Sequence, residues 1–152
     1  MVEKLSALHL QAGRSVRSAK SLTTGLTHRQ IIFMLRLSLA IVFVWFGALK
    51  LIDSSPAVLL IRQSFPLFAA SPYLELLGLA EMLIGAGLIF DRLSKYAALL
   101  LVLHLIGTLS VVLVSPATIF APAFPVLTME GEFILKNVVL IVAGLAVARG
   151  QT

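Results

Sequence analysis

The chain of 152 residues has no cysteine, one tryptophan, two tyrosines and three histidines, and only 12% of it is charged. Without cysteine there is no disulfide exchange, no iron–sulfur ligation, no thiolate nucleophile and no covalently attached c-type haem. His9 and His28 lie in a polar N-terminal segment and only His104 lies in an apolar stretch, so no paired histidines are expected to hold a haem or a metal ion. The scarcity of charge excludes an ordinary soluble domain, where about 25% of residues are charged and roughly 45 to 50% are apolar; here 59% are hydrophobic. Twelve Lys and Arg against seven Asp and Glu give a formal charge of +5. The basic residues form no face interleaved with aromatics, so nucleic acid is not an expected partner. Their distribution reads instead as membrane topology.

Apolar stretches run over 31–51, 73–90, 96–114 and 133–148. At 1.5 Å rise per residue they reach roughly 24 to 31 Å as helices, enough to cross the hydrocarbon of a bilayer, the shortest with help from its flanks. Pro56, Pro66, Pro72, Pro116, Pro122 and Pro125 all fall between these stretches, as they should if every backbone N–H in lipid must be bonded within its own helix. The expected fold is therefore all-α, a polytopic bundle of four transmembrane helices over 31–148, preceded by a basic polar tail (1–30) and followed by a short end (149–152). The tail carries Lys4, Arg14, Arg17, Lys20 and Arg29 against Glu3. It reads as a retained segment, either resting Leu5, Leu8 and Leu10 on anionic headgroups or disordered; a cleaved signal is the less fitting alternative.

Lys and Arg in the connections set the orientation. The tail, the turn at Asp91–Lys95 and Arg149 place eight on one side, against Arg62 alone on the other. Both termini are thus expected in the cytoplasm, with multi-pass insertion in a cytoplasmic membrane. The long connections, carrying Phe65, Phe68, Phe120 and Phe124, are expected to fold back over the outer mouth of the bundle. The stretch from Pro56 to Ser64 reads as a short interfacial helix, with Pro66 just past its end.

Ionisable residues inside the spans need a partner or a watery cavity. Arg36, Gly47 and Lys50 share one stripe of the first span, and Gly78, Glu81 and Gly85 one face of the second. His104, Gly107 and Thr108 follow in the third, and Lys136, Asn137 and Gly144 in the fourth. Small residues let helix backbones approach, so these faces point at one another, and Arg36, Lys50, Glu81, His104, Lys136 and Asn137 are the expected intramembrane polar cluster. Glu75, Glu130 and Glu132 fall at the outer mouth. Lys50 or Lys136 can stretch to Glu81, and the expected pair is Lys50 with Glu81, because an unpaired carboxylate at that depth would neutralise itself. Alternatives stay open. The pair can simply fix helix register, Arg36 and Lys136 can snorkel to the headgroups, and His104 can be a hydrogen-bonded packing residue. Trp45, Tyr73 and Tyr96 read as interface anchors.

Arg36 followed by WFGALKL at Trp45–Leu51, LAEMLIGAGLIF at Leu79–Phe90 and EGEFILKNVVL at Glu130–Leu140 resembles the DoxX-like family of small four-helix membrane proteins. It is most similar to the branch named after the bacterial inner-membrane protein YkgB. The resemblance covers about 29–148. It matches Gly47 and Lys50 to a Gly-x-x-Lys element, Glu81 to an acid of the second helix, and Gly131, Phe133 and Lys136 to the element that opens the last helix; Asn137 stands where the branch often has an acid. It implies an inner-membrane protein linked to oxidative stress or to quinone-dependent oxidoreductase complexes, usually an accessory subunit without a cofactor of its own. Three functions are weighed. The first is an accessory or scaffold subunit with a membrane-protein partner or a second copy, in which a quinone-like or other lipid is bound between the helices. The second is a small proton-coupled transporter using Glu81 and His104. The third is an enzyme on a lipid-soluble substrate, for which Thr108 and His104 lack the orienting third group of an activated nucleophile, so no catalytic residue is expected.

Overall fold

The computed structural model describes residues 25–68 and 71–150; most of the basic tail, with Leu5, Leu8, Leu10 and His9, lies outside them. The chain divides into two units, Met1–Ile31 and Ile32–Thr152. Four helical spans long and apolar enough to cross a membrane are present among the described residues: His28–Leu51, Pro72–Ile89, Asp91–Val114 and Met129–Arg149. They are built from helices α1 (His28–Leu51), α3 (Ser71–Ile89), α4 (Asp91–Leu109) with α5 (Val111–Val114), and α7 (Met129–Leu135) with α8 (Asn137–Arg149). Between them lie α2 (Pro56–Ser64), a 3-10 turn at Pro66–Phe68, and α6 (Pro116–Ile119). The protein is an all-α, multi-pass membrane protein.

Local chemistry starts and stops these helices. Thr27 and Gln30 form a capping box at the start of α1, Gln30 Oε1 accepting from the Thr27 amide at 2.8 Å and Thr27 Oγ1 from the Gln30 amide at 3.3 Å. The helix therefore begins at His28, ahead of the apolar run. It ends where Asp53 adopts φ 51° and the Ser54 amide returns to Leu49 O at 2.9 Å; aspartate is one of the few residues that tolerates this left-handed conformation. Pro56 and Pro116 open α2 and α6, where their missing amides cost nothing. Thr128 caps α7, accepting from the Gly131 amide at 2.9 Å while its hydroxyl donates to Thr118 O at 2.7 Å.

Two spans are interrupted where the sequence reading had them continuous. In the third, the Ser110 amide is shared between Ile106 O and Gly107 O, both at 3.2 Å, before α5 continues. In the fourth, Lys136 adopts a tighter turn in which the Val139 amide bonds Lys136 O at 3.0 Å while the Leu140 amide lies 3.5 Å from the same oxygen.

Helix register comes from small residues. A Cβ added to Gly78 would stand 2.8 Å from Gly47 O, and one on Gly85 would stand 2.9 Å from Ala40 O. Backbones of α1 and α3 therefore touch along an antiparallel seam that only glycine permits at these points. Gly87 against Ala97 sets α3 on α4, and Gly144 against Leu101 and Val102 sets α8 on α4. The core of the bundle holds Leu39, Ala40, Phe43, Ile84, Leu88, Ala98, Leu101, Leu105 and Val147. A second cluster, Leu60, Val111, Ile119 and Ile134, lies at the end where α1 finishes and α3 begins, called here the loop end. There the 115–128 connection folds back, with Ile119 buried and its carbonyl pressed against Gly131, where any Cβ would collide with it. The opposite, turn end is the sharp junction at Phe90. Trp45, Leu83, Leu103 and Val139 are among many large apolar side chains exposed on the outside, the surface offered to acyl chains.

Candidate functional site

Every Cα–Cβ bond of a helix tilts toward that helix's N-terminus. Because α1 runs toward the loop end and α3 runs away from it, Lys50 leans back into the bundle while Glu81 leans up to meet it. Lys50 Nζ donates to Glu81 Oε2 at 2.6 Å, and the two side chains are only 5% and 8% exposed. The long lysine stem thus turns away from its nearer aqueous boundary, the reverse of snorkelling. On α4 the register set by Gly87 brings His104 level with Glu81, and His104 Nε2 lies 2.8 Å from Glu81 Oε1. One carboxylate is held from both sides, by an ammonium from α1 and an imidazole from α4. The His104 ring stands edge-on to Phe43, with centroids 5.8 Å apart and an interplanar angle of 71°. That contact crosses the core between α1 and α4.

The remaining cluster residues are placed differently. Arg36 lies fourteen positions before Lys50, roughly 21 Å along the helix, and belongs to the turn end. Its Nε donates to Leu88 O and its Nη2 to Ile89 O, both at 2.9 Å, while Nη1 pairs with Asp91 Oδ1. The planar guanidinium thereby satisfies the last carbonyls of α3 and ties them to the first residue of α4. Arg36 is buried and does not snorkel. Lys136 is the correction among the cluster residues: it sits at the interruption between α7 and α8, its side chain 74% exposed, with Nζ 3.8 Å from Glu132 Oε2. One position is a rotation of about 100° on a helix, so with Asn137 turned inward Lys136 cannot also face Glu81. Asn137 is buried, on the same face as Gly144.

Of the acids at the loop end, Glu130 and Glu132 are exposed in the first turn of α7, where negative charge suits the helix dipole. Glu75 lines a shallow apolar groove with Leu51, Pro72, Leu76 and Leu79, apart from the triad. Gly47 and Gly131 are close-contact positions, and Phe133 packs its ring on Phe46 at 5.8 Å. The sequence alone offers Arg36 no partner; the structure supplies one in Asp91, the first residue of α4. No group of three His, Cys, Asp or Glu residues able to hold a metal ion occurs among the described residues.

A family model described as DoxX matches residues 31–115, more than half the chain. The chain belongs to the DoxX family. The matched part runs from α1 through the end of α5, so all three members of the triad, Lys50, Glu81 and His104, lie within it, as do Arg36 and Asp91. The final span of this DoxX protein, with Gly131 and Asn137, lies beyond it. No curated protein and no solved structure matches the chain.

Proposed function

We propose that this DoxX protein is an accessory subunit of a redox or oxidative-stress system in the bacterial cytoplasmic membrane, of the YkgB-like branch. It has no catalytic centre of its own, and a quinone-like or other apolar ligand lies between its helices beside His104. One observation carries the reading: Glu81 is held by Lys50 at 2.6 Å and by His104 at 2.8 Å, so that one node joins three helices. Such a node is rigid, has its opposite charges matched, and sits in otherwise apolar surroundings. It can orient one polar head group of an apolar molecule but offers no activated nucleophile. The cysteine-free sequence supports a subunit whose electron carriers belong to a partner, a membrane protein or one recruited beside a second copy. The bias of eight basic residues to one supports cytoplasmic termini. Purification of the tagged full chain from its own membranes in mild detergent tests the reading. A stoichiometric oxidoreductase is the expected companion, lost from the Glu81→Gln variant; a chain that purifies without any redox protein from cells under oxidant stress would overturn it.

A proton-coupled transporter is the second reading. The direct contact between Glu81 and His104 joins two proton-carrying groups within the membrane. Flux into liposomes driven by a pH gradient, abolished in Glu81→Gln, would favour it over the first.

A further inference from the structure

The two connections at the loop end differ in chemistry. The first keeps a charged pair in the open, Arg62 Nη2 lying 3.3 Å from Asp53 Oδ1 with both side chains well exposed. The second has no charge to keep. From Tyr96 through Met129 the sequence holds no Asp, Glu, Lys or Arg, so the run that fills the third span after Lys95 continues unbroken through the whole 115–128 connection. Connections that run in water are ordinarily polar.

The base of this connection is tied down. Ile119 is buried in the second cluster, the Thr128 amide bonds Ile119 O at 2.9 Å, and Phe120 pairs with Leu127 across an antiparallel bridge. Beyond that bridge the residues 121–126, APAFPV, are all exposed. The Ala121 amide bonds Val126 O at 3.1 Å and the Val126 amide bonds Ala123 O at 2.9 Å, while Pro122 and Pro125 have no amide to satisfy. Phe124, 79% exposed, keeps its ring against Phe120 with centroids 5.3 Å apart. The tip is a braced projection with only apolar side chains, in which the amides of Ala123 and Phe124 alone lack an acceptor among the described residues.

Apolar surface of this kind favours a neighbour other than water. Continuity with the spans names that neighbour as lipid: Leu113 and Val114, at the end of the third span, and Met129, at the start of the fourth, are exposed on either flank, so the tip extends the acyl-facing surface without a charged break. A protein-binding patch carries a polar rim; here Thr128, the polar side chain nearest the tip in sequence, spends its hydroxyl on Thr118 O. Depth is limited as well. Glu130 and Glu132 follow closely and are exposed, and the two open amides need water within reach. We propose that 121–126 is an interfacial wedge, its backbone at headgroup level and the side chains of Phe124 and Val126 seated among the first methylenes of the leaflet at the loop end. Elements that lie in an interface in this way sink about 5 to 10 Å into the headgroup and acyl boundary.

Tryptophan placed at the tip measures its surroundings. The full chain carrying Trp45→Phe and Phe124→Trp, in phosphatidylcholine vesicles, holds one tryptophan there; Trp45→Phe with Ser54→Trp holds one in the charged connection for comparison. Lipid brominated near the top of its acyl chains should quench the tip tryptophan by at least half while aqueous iodide hardly affects it, with the order reversed at position 54. Both positions are exposed, so both variants should unfold as the Trp45→Phe parent does. Val126→Cys carrying a nitrobenzoxadiazole dye reads the same depth where the tryptophan variant fails to fold, and its emission should be that of an apolar medium. Iodide quenching at the tip equal to that at position 54 would put the tip in water, the result expected if a partner protein is its true cover. Quenching by neither reagent would put it beneath a second copy. Either result overturns the proposal, and neither bears on co-purification of an oxidoreductase.

Discussion

Replacing Glu81 by Gln should destabilise the protein more than replacing Lys50 by Met, and the double replacement should recover part of the loss. The asymmetry comes from the carboxylate serving two partners while the ammonium serves one. In Glu81→Gln the Lys50 side chain, 5% exposed, loses its counter-ion; breaking a buried pair from one side costs about 3 to 5 kcal/mol. In Lys50→Met the apolar stem still packs and Glu81 keeps its contact with His104, so about 1.5 to 3 kcal/mol is expected, the value of one hydrogen bond to a charged group. The double variant holds no uncompensated charge and should regain about 2 kcal/mol over Glu81→Gln, a factor of about thirty in the unfolding equilibrium. Titration of bicelle-embedded protein with SDS, followed by far-ultraviolet circular dichroism and by the single Trp45, measures all three. If the double variant is as unstable as the two single losses added together, the pair is not coupled and the triad has no energetic meaning.

Other outcomes follow from the same contacts. Arg36→Lys should cost nearly as much as Arg36→Met, about 2 to 3 kcal/mol in the same titration, because one ammonium cannot serve Leu88 O, Ile89 O and Asp91 as the guanidinium fork does. Gly47→Ala should destabilise by at least about 1 to 3 kcal/mol, since its Cβ would meet the backbone of Gly78 and stand 2.7 Å from Met82 Cγ; Gly107→Ala, with nothing within 4 Å, should be neutral or slightly stabilising. Gly131→Val should lift the 115–128 connection by displacing Ile119 O, read as faster proteolysis there with the bundle still folded. Because the chain has no native cysteine, Ser18→Cys and Ala123→Cys variants test orientation directly: an impermeant maleimide added to intact spheroplasts should label the second and not the first.

The four spans and the inward side of Glu81 were legible because they follow from hydropathy and helical periodicity, which act within one segment at a time. The pairing of Lys50 with Glu81 could be reached from depth alone, since both residues carry opposite charge on small-residue faces. What the sequence hid depends on register between segments. His104 could be assigned a face but not a partner, because its height against Glu81 is fixed by Gly87 meeting Ala97. Arg36 was grouped with Lys50 because they share a stripe, yet its acceptors are main-chain carbonyls, which have no signature in side-chain sequence. Lys136 looked like a member of the interior because it neighbours Asn137, and a single step around the helix put it outside. The capping box of Thr27 and Gln30 is a local signal that starts the first helix three residues ahead of the apolar run at Ile31.

Two cations of the first helix, Arg36 and Lys50, find their partners on the second transmembrane helix or at its exit. During synthesis that first segment therefore emerges with unmatched charge, which costs up to about 2.5 to 3.5 kcal/mol for a lysine or arginine at the centre of a span and less toward its ends. Those charges are matched only once Glu81, Leu88 and Asp91 have followed, which favours insertion of the two segments together as a hairpin.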